Sequence, residues 1–480
     1  MEVLLDFCRS ESLSEDGVRA IIERHGLTPN NHVENYDFFR EACFNERVTE
    51  GIIRCLLEYF PDAASSTNHI GVSPLHRACN NKNATFDVIQ LLIDAAPDTV
   101  RSVPIFGWAP LHILCYNKFV DEGTAMQILN LLMEKYPEAV RCADVAGNLP
   151  IHIASGARSP KFCSVLIEAY PGSVQIGNNR GTLPLHQASW KGNLATVKYL
   201  CNLYSDGILH TNTDGDHPIH SAIQGVCYID KPVAAVEIVQ FLLDIDANVK
   251  HQKHRGRSLL HYAACWRVEY KDPNVDAVLE VIKVLFDAHP EAIEDDEFTH
   301  VSHQRIQAFI KSELVYARQA KDHRLMTTPD DNGQLPLHLA LQNNARLGSI
   351  KLLVKGNPSA LRNTDNNFAM PLHIACQYHD SASVVQYLID LHALTLEALD
   401  REGNTALHCA CRGAKYETIA LLLEKYDGPA SKRNVQGKLP IDHLWESNQT
   451  IDRESVEYTG SVFRLLTAHP ETVMNVGTDG

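Results

Sequence analysis

Nine histidines, His76, His112, His152, His186, His220, His261, His338, His373 and His408, recur inside short phrases such as "SPLHRA", "LPLHLA", "MPLHIA" and "TALHCA". Imidazole is the side chain best placed for acid–base chemistry or metal ligation near neutral pH. Four of the phrases add a cysteine three residues later, Cys79, Cys115, Cys376 and Cys411, so thiol-based metal or redox chemistry has to be weighed as well. The spacing decides against both. Most intervals between the histidines are 34 to 36 residues, with 40 and 41 once each and 77 once, so each histidine fills the same slot of a repeating unit. Nothing in that pattern brings several of them to one point. The cysteines share a slot too, which suits small, apolar, buried thiols.

Two other clusters carry ionisable groups. "EDDEFTHVSH" puts Asp295, Asp296 and Glu297 near His300 and His303, but the spacing matches no metal-ligand pattern and reads as an acidic turn ahead of a helix. "HQKHRGR" at 251–257 gathers basic groups at a turn and reads as a charged loop able to meet an acidic group. No phosphate-binding glycine loop, dinucleotide fingerprint, nucleophile elbow, Cys-x-x-Cys pair or zincin helix occurs. No enzyme is expected, and no cofactor.

Two landmarks keep register with the histidines and show what must position them. A glycine lies five residues before at Gly71, Gly107, Gly147, Gly181, Gly215, Gly256, Gly333 and Gly403, with Phe368 as the exception; Gly437 stands in the same relation to Asp442, which takes the tenth slot. A proline lies 15 residues before at Pro61, Pro97, Pro137, Pro171 and Pro358. Segments such as "VIQLLIDAAP" carry apolar residues at helical spacing and stop at that proline, which is expected to end an outer helix. Turn-forming residues around the glycine predict a tight hairpin. A second proline then opens an inner helix, where its missing N–H is no loss.

Hairpin, inner helix and outer helix, with "PLHxA" after a glycine turn, resemble the ankyrin repeat. The resemblance covers roughly residues 35–480 and implies an all-α repeat solenoid, its hairpin and helix-turn-helix units stacked into a curved superhelix. It also implies that the motif histidine bonds a neighbouring turn and orients the hairpin. The threonine slot of the family motif survives only at Thr405, or as Ser73 and Ser258, and is leucine in four copies, which predicts weaker helix starts. "FFREAC" at 38–43 reads as a degenerate first repeat with Arg40 in the histidine slot.

The expected organisation is a helical cap at 1–34 begun by a Ser12 to Glu15 capping box, repeats at 35–293, a helical insertion at 294–331 and further repeats at 332–480. The insertion rests on "QRIQAFIKSELVYARQA", which stripes Ile306, Ile310, Leu314 and Ala317; a degenerate repeat is the rival reading. The sequence ends at Gly480 on a hairpin glycine, which is expected either of a truncated recognition module or of a stack with an exposed end.

With 43 Lys and Arg against 59 Asp and Glu, the formal charge of −16 opposes nucleic acid and anionic lipid as partners. The sequence shows no basic leader and no long apolar run, and 13 scattered cysteines do not suit a disulfide framework. A cytoplasmic or nuclear monomer that binds partner proteins, with no small-molecule substrate, is expected. The resemblance places partners on the hairpin tips and on inner-helix residues just past the histidine. Here those slots hold Ile105, Phe106, Trp108, Tyr116, Asn117, Trp190, Lys191, Trp266, Gln377, Tyr378 and Arg412 around a small-residue floor at Gly156 and Ala157.

Overall fold

Each motif phrase forms the start of a short helix, and in most of them, though not at His112, the histidine ring itself caps it. The N-cap backbone N–H donates to Nδ1 of the histidine three residues on, from Ser73 to His76 (3.2 Å), Leu149 to His152 (3.0 Å), Leu183 to His186 (3.2 Å), Leu335 to His338 (3.2 Å) and Thr405 to His408 (3.2 Å). With Nδ1 accepting, the neutral ring carries its proton on Nε2, which donates to a backbone carbonyl further along. His112 reaches Asn148 O (3.2 Å), His152 Ile176 O (3.0 Å), His186 Asp216 O (3.1 Å) and His408 Lys438 O (3.2 Å). The ring therefore does the work of the hydroxyl cap and remains available where leucine replaces threonine. Leu149, Leu183 and Leu335 are buried in exchange for the lost hydroxyl. Asp442 stands in for the ring by accepting Leu439 N–H at 2.7 Å.

The computed structural model describes residues 1–27, 36–226, 232–265, 275–295, 298, 301, 303–425, 428–446 and 455–468. It is an all-α repeat solenoid. Inner helices such as Pro110–Tyr116, Pro150–Ala157 and Pro184–Trp190 pack side by side, each followed by an outer helix such as Glu122–Lys135, Pro160–Ala169 or Leu194–Leu203. Where a proline follows an outer helix it does more than stop it. It opens a separate 3-10 turn, as at Pro97–Arg101, Pro137–Arg141, Pro171–Gln175 and Pro358–Arg362, with the preceding residue out of the helical region; Ser205–Leu209 and Ala393–Glu397 form the same turn without proline.

The hairpins are mostly loops closed by a side chain. Among the described residues the one β-ladder pairs Lys253 with Ser258 and His254 with Arg257. Elsewhere an Asn or Asp eight residues before the motif histidine folds the turn around its own oxygen: Asp144 Oδ1 accepts from Ala146 N (2.9 Å) and Asn148 N (2.7 Å). Asn178, Asn212, Asp330, Asp365, Asp400 and Asn434 repeat that arrangement. Gly147, at φ 78°, completes the turn where a Cβ would lie 2.7 Å from Asn179 N of the next hairpin.

Phe368 occupies the glycine slot at φ 58°, a conformation that a bulky residue adopts only under strain. Its ring is exposed, so replacing it loses little packing. Phe368→Gly is expected to raise stability by about 1 kcal/mol. Thermal unfolding of the two proteins checks it, and a lower midpoint for the glycine variant would show that the ring contributes more than the backbone strain removes.

The chain forms two units, Met1–Val281 and Ile282–Gly480. The first starts with helices Glu2–Arg9 and Glu15–His25. Ser14, not Ser12, caps the second of these by accepting Gly17 N–H at 3.3 Å, because Leu13 and Val18 are both buried at the spacing of a hydrophobic staple and fix the entry one step later. Arg40 is buried in its histidine-like slot and donates to Ser66 Oγ at 3.2 Å. Past most of the inner helices of this unit an asparagine reaches back to the preceding element, buried at Asn81 and Asn117. Asn45 donates to Cys8 O (3.0 Å) and Ser10 O (2.8 Å), Asn81 to Cys43 O (3.1 Å) and Asn45 O (2.8 Å), and Asn117 to Cys79 O (2.9 Å) and Asn81 O (2.7 Å). Arg158 continues the series onto Leu114 O (2.8 Å) and Val120 O (3.1 Å), and Asn193 onto Ser155 O and Arg158 O. This ladder ties the terminal helices and the repeats together through backbone carbonyls that would otherwise lie unpaired.

In the second unit, Gln304–Lys321 lies along Leu347–Gly356, and Phe309 meets Phe286 edge-on at 6.0 Å. Its buried face holds Ile306, Ile310 and Ala317, with Glu313 rather than Leu314 between them. A carboxylate is tolerated there because Ser349 Oγ donates to it, and burial pushes its pKa up. Asp287 caps the partner helix by accepting from Gly348 N (2.8 Å) and Arg346 (2.6 Å). The repeats that follow bury Leu337, Ile350, Leu372, Val385 and Leu407 in one core.

Candidate partner-binding groove

Proline starts and glycine turns place the last residues of each inner helix and the loop after it on one side of the first unit. There the side chains of Trp108, Tyr116 and Phe119 surround an open groove of about 840 Å³. Trp108 is half-buried and fixed, its Nε1 donating to Asp144 Oδ2 (3.1 Å) and its ring 5.4 Å from that of Tyr116. Tyr116 and Phe119 are 54% and 69% exposed. Phe44 adds a further ring at the edge, covered on one face by the Arg77 guanidinium at 4.2 Å.

Small residues make the floor. Gly156 and Ala157 line it, and a Cβ on Gly156 would come within 2.8 Å of Lys191 Cγ, so the glycine lets the lysine stem lie flat across the helix end. The Lys191 ammonium then sits over the Trp190 ring at 4.0 Å. Partial burial, and next the ammonium of Lys118, push the Lys191 pKa down. Lys82, the third groove lysine, is paired with Glu46 at 2.5 Å.

The candidate residues separate into groups. Trp108, Tyr116 and Lys191 line the groove, and Trp190 supports Lys191 from below. Ile105 and Phe106 have exposed side chains at a hairpin tip, where Ile105 N–H donates to Ile70 O at 3.0 Å, and are not among the lining residues. Asn117 also lines the groove, although it is 3% exposed and its amide donates to Cys79 O and Asn81 O. Trp266 lies outside the described residues. In the second unit Gln377 donates to the Tyr378 hydroxyl (3.2 Å), and Arg412 pairs with Glu402 (2.8 Å). Sequence spacing missed Phe119, Lys118, Phe44 and Lys82. Phe119 had a readable signal, an aromatic in the polar turn "YNKFVDE".

The other clusters resolve as structure. His254 pairs with Asp216 at 2.8 Å and Arg257 donates to His261 at 2.9 Å, so part of the charged 251–257 loop serves its own unit. Asp296, Glu297 and His300 lie outside the described residues, and among the described ones no His, Cys, Asp and Glu cluster could hold a metal ion. Cys79, Cys115, Cys376 and Cys411 are fully buried, and burial pushes their thiol pKa values up, to about 12 for Cys79. Among the described residues no helix is long and apolar enough to cross a membrane.

A family model described as "Ankyrin repeats (3 copies)" matches residues 119–214 and 337–434, one region in each unit. The chain carries ankyrin repeats in both units. No curated protein matches it as a relative. Ankyrin repeats are protein-interaction modules, and in this chain the histidine slot is used by the architecture.

Proposed function

We propose that this ankyrin repeat protein is a non-catalytic scaffold or adaptor that holds partner proteins in the groove of its first unit. One observation carries the reading: Tyr116 and Phe119 stand exposed on a recessed surface whose floor is Gly156 and Ala157. Large exposed rings over a small-residue floor form the kind of pocket in which interface energy concentrates. The neighbouring tip residues Ile105 and Phe106 extend the same face for a larger partner. A cytoplasmic or nuclear setting fits this reading, since the partner would be another soluble protein.

The test is capture of partners from the native cell extract on the full chain, beside the variant carrying Tyr116→Ser and Phe119→Ser. Both rings are exposed, so the variant should unfold at the same temperature as the parent. Losing them is expected to weaken a captured partner by ~2 kcal/mol, or about thirtyfold. Unchanged recovery of every partner at equal bait concentration would remove the groove from the function.

A further inference from the structure

Five imidazoles meet where three repeats of the first unit join. His186 lies edge-on to His210 at 5.9 Å, and His220 stacks on His217 at 5.5 Å and stands 5.9 Å from His254. Residues 110–170, by contrast, hold only His112 and His152. Asp216 ties the rings together: its carboxylate pairs with His254 Nδ1 (2.8 Å) and accepts from Gln224 Nε2 (3.0 Å), while its carbonyl accepts from His186 Nε2 (3.1 Å). One residue thus links the inner helices Pro184–Trp190 and Pro218–Gly225 to the hairpin at 253–258. At the centre, His220 Nδ1 accepts the His217 N–H (3.1 Å), and its Nε2 is buried without a hydrogen-bond partner among the described residues. A positive charge on that ring would find nothing to stabilise it.

We infer that this joint is the part of the first unit that opens first as the pH falls below neutral, making it a proton-sensitive switch between neighbouring repeats. The elements packed around it supply little to balance added charge. Pro184–Trp190 buries His186 as its only titratable group, and Pro232–Ile245 buries Ala235, Ile238, Val239 and Leu242. Leu259–Cys265 contributes His261, to which Arg257 donates, and Tyr262, whose hydroxyl lies 3.4 Å from Asp216. The hairpin brings Lys253, Arg255 and Arg257, all exposed, and Asp214 is exposed on the turn before His217.

An imidazolium at His254 has the Asp216 carboxylate beside it. His217 and His210 instead bond backbone carbonyls, Leu209 O and Gly181 O (both 3.1 Å), and no carboxylate among the described residues. A further proton on either ring therefore adds a second cation to the cluster, and the two repel until the joint opens to water. Burial, with neighbouring imidazoles adding to it, pushes the pKa values of His217, His186 and His220 down. The closed joint binds fewer protons than the open one, so acid favours opening as the pH drops below about 6.5. Each repeat packs only on its neighbours, so this joint loosens while the others hold.

Hydrogen exchange of the full chain, read by mass spectrometry at about pH 7.5 and about pH 6 with times corrected for the intrinsic rate, tests this. Protection at 212–225 and 253–262 is expected to fall at least about tenfold more than at 110–170, where only motif histidines act. The variant carrying His217→Asn and His254→Asn should keep its joint closed at the lower pH. Asparagine caps the helix and offers Asp216 a donor, yet takes up no proton. Equal loss along the first unit of the parent, or loss at the joint that is the same in the variant, overturns the inference. Should the double variant already lack protection at about pH 7.5, His217→Asn alone takes its place, and a joint that opens in it as far as in the parent overturns the inference equally.

Discussion

Asn117→Ala is expected to destabilise the first unit by about 3 kcal/mol, since it leaves two buried carbonyls, Cys79 O and Asn81 O, without their donor. The loss should be local. Each rung of the asparagine ladder joins neighbouring repeats only, so amide exchange should rise around residues 74–135 before it rises near the terminal helices. Asn81→Ala should behave alike, because its amide makes the same pair of bonds one repeat earlier. Urea unfolding measures the cost, and partner capture on the folded variant should equal that of the parent. A variant as stable as the parent that no longer binds its partner would return Asn117 to the contact surface.

Acid should unfold the repeats through their histidines. Burial, opposed in part by hydrogen bonds to the ring, holds His76, His152 and His408 at about 4. His186 and His220 are pushed to about 3 by burial, with neighbouring imidazoles adding to the effect. The His220 ring stacks on His217 at 5.5 Å and lies 5.9 Å from His254, which Asp216 holds, and 4.8 Å from Tyr262. A second proton on His76, His152, His186, His220 or His408 would also point an N–H at the N-cap N–H that Nδ1 now accepts.

The folded rings therefore remain neutral below the unfolded value of 6.5, where the unfolded chain takes up protons. Stability falls as pH drops from that value toward about 4, by about 1.4 kcal/mol per pH unit for each histidine. If His76, His152, His186 and His220 unfold together, the first unit should lose about 5 kcal/mol per pH unit in that window. Urea midpoints at about pH 7, 6 and 5 check the slope. Midpoints that stay constant over that range would mean the rings titrate freely in the folded chain.

The sequence by itself determined the unit and its register. Proline at the first helical position, glycine where the backbone must turn left-handed, and one histidine per turn are local requirements, met within a few residues, so their spacing can be read without the fold. The role of the histidine follows from the same locality: its Nδ1 partner is three residues away. Even Phe368 was visible as the break in the glycine series, although the strain it carries was not.

Only the tertiary structure decided what each slot's neighbours do. Asn117 and Tyr116 are adjacent in sequence and both follow the histidine, yet the helix end buries one against carbonyls of preceding repeats and leaves the other exposed. Glu313 displaced Leu314 from the buried stripe because Ser349, 36 residues later, supplies its hydrogen bond. Lys118 and Lys191 belong to different repeats and line one groove only when those repeats stack. Position along the chain fixes the backbone pattern, whereas the direction a side chain faces and the charge it meets depend on groups brought close by packing.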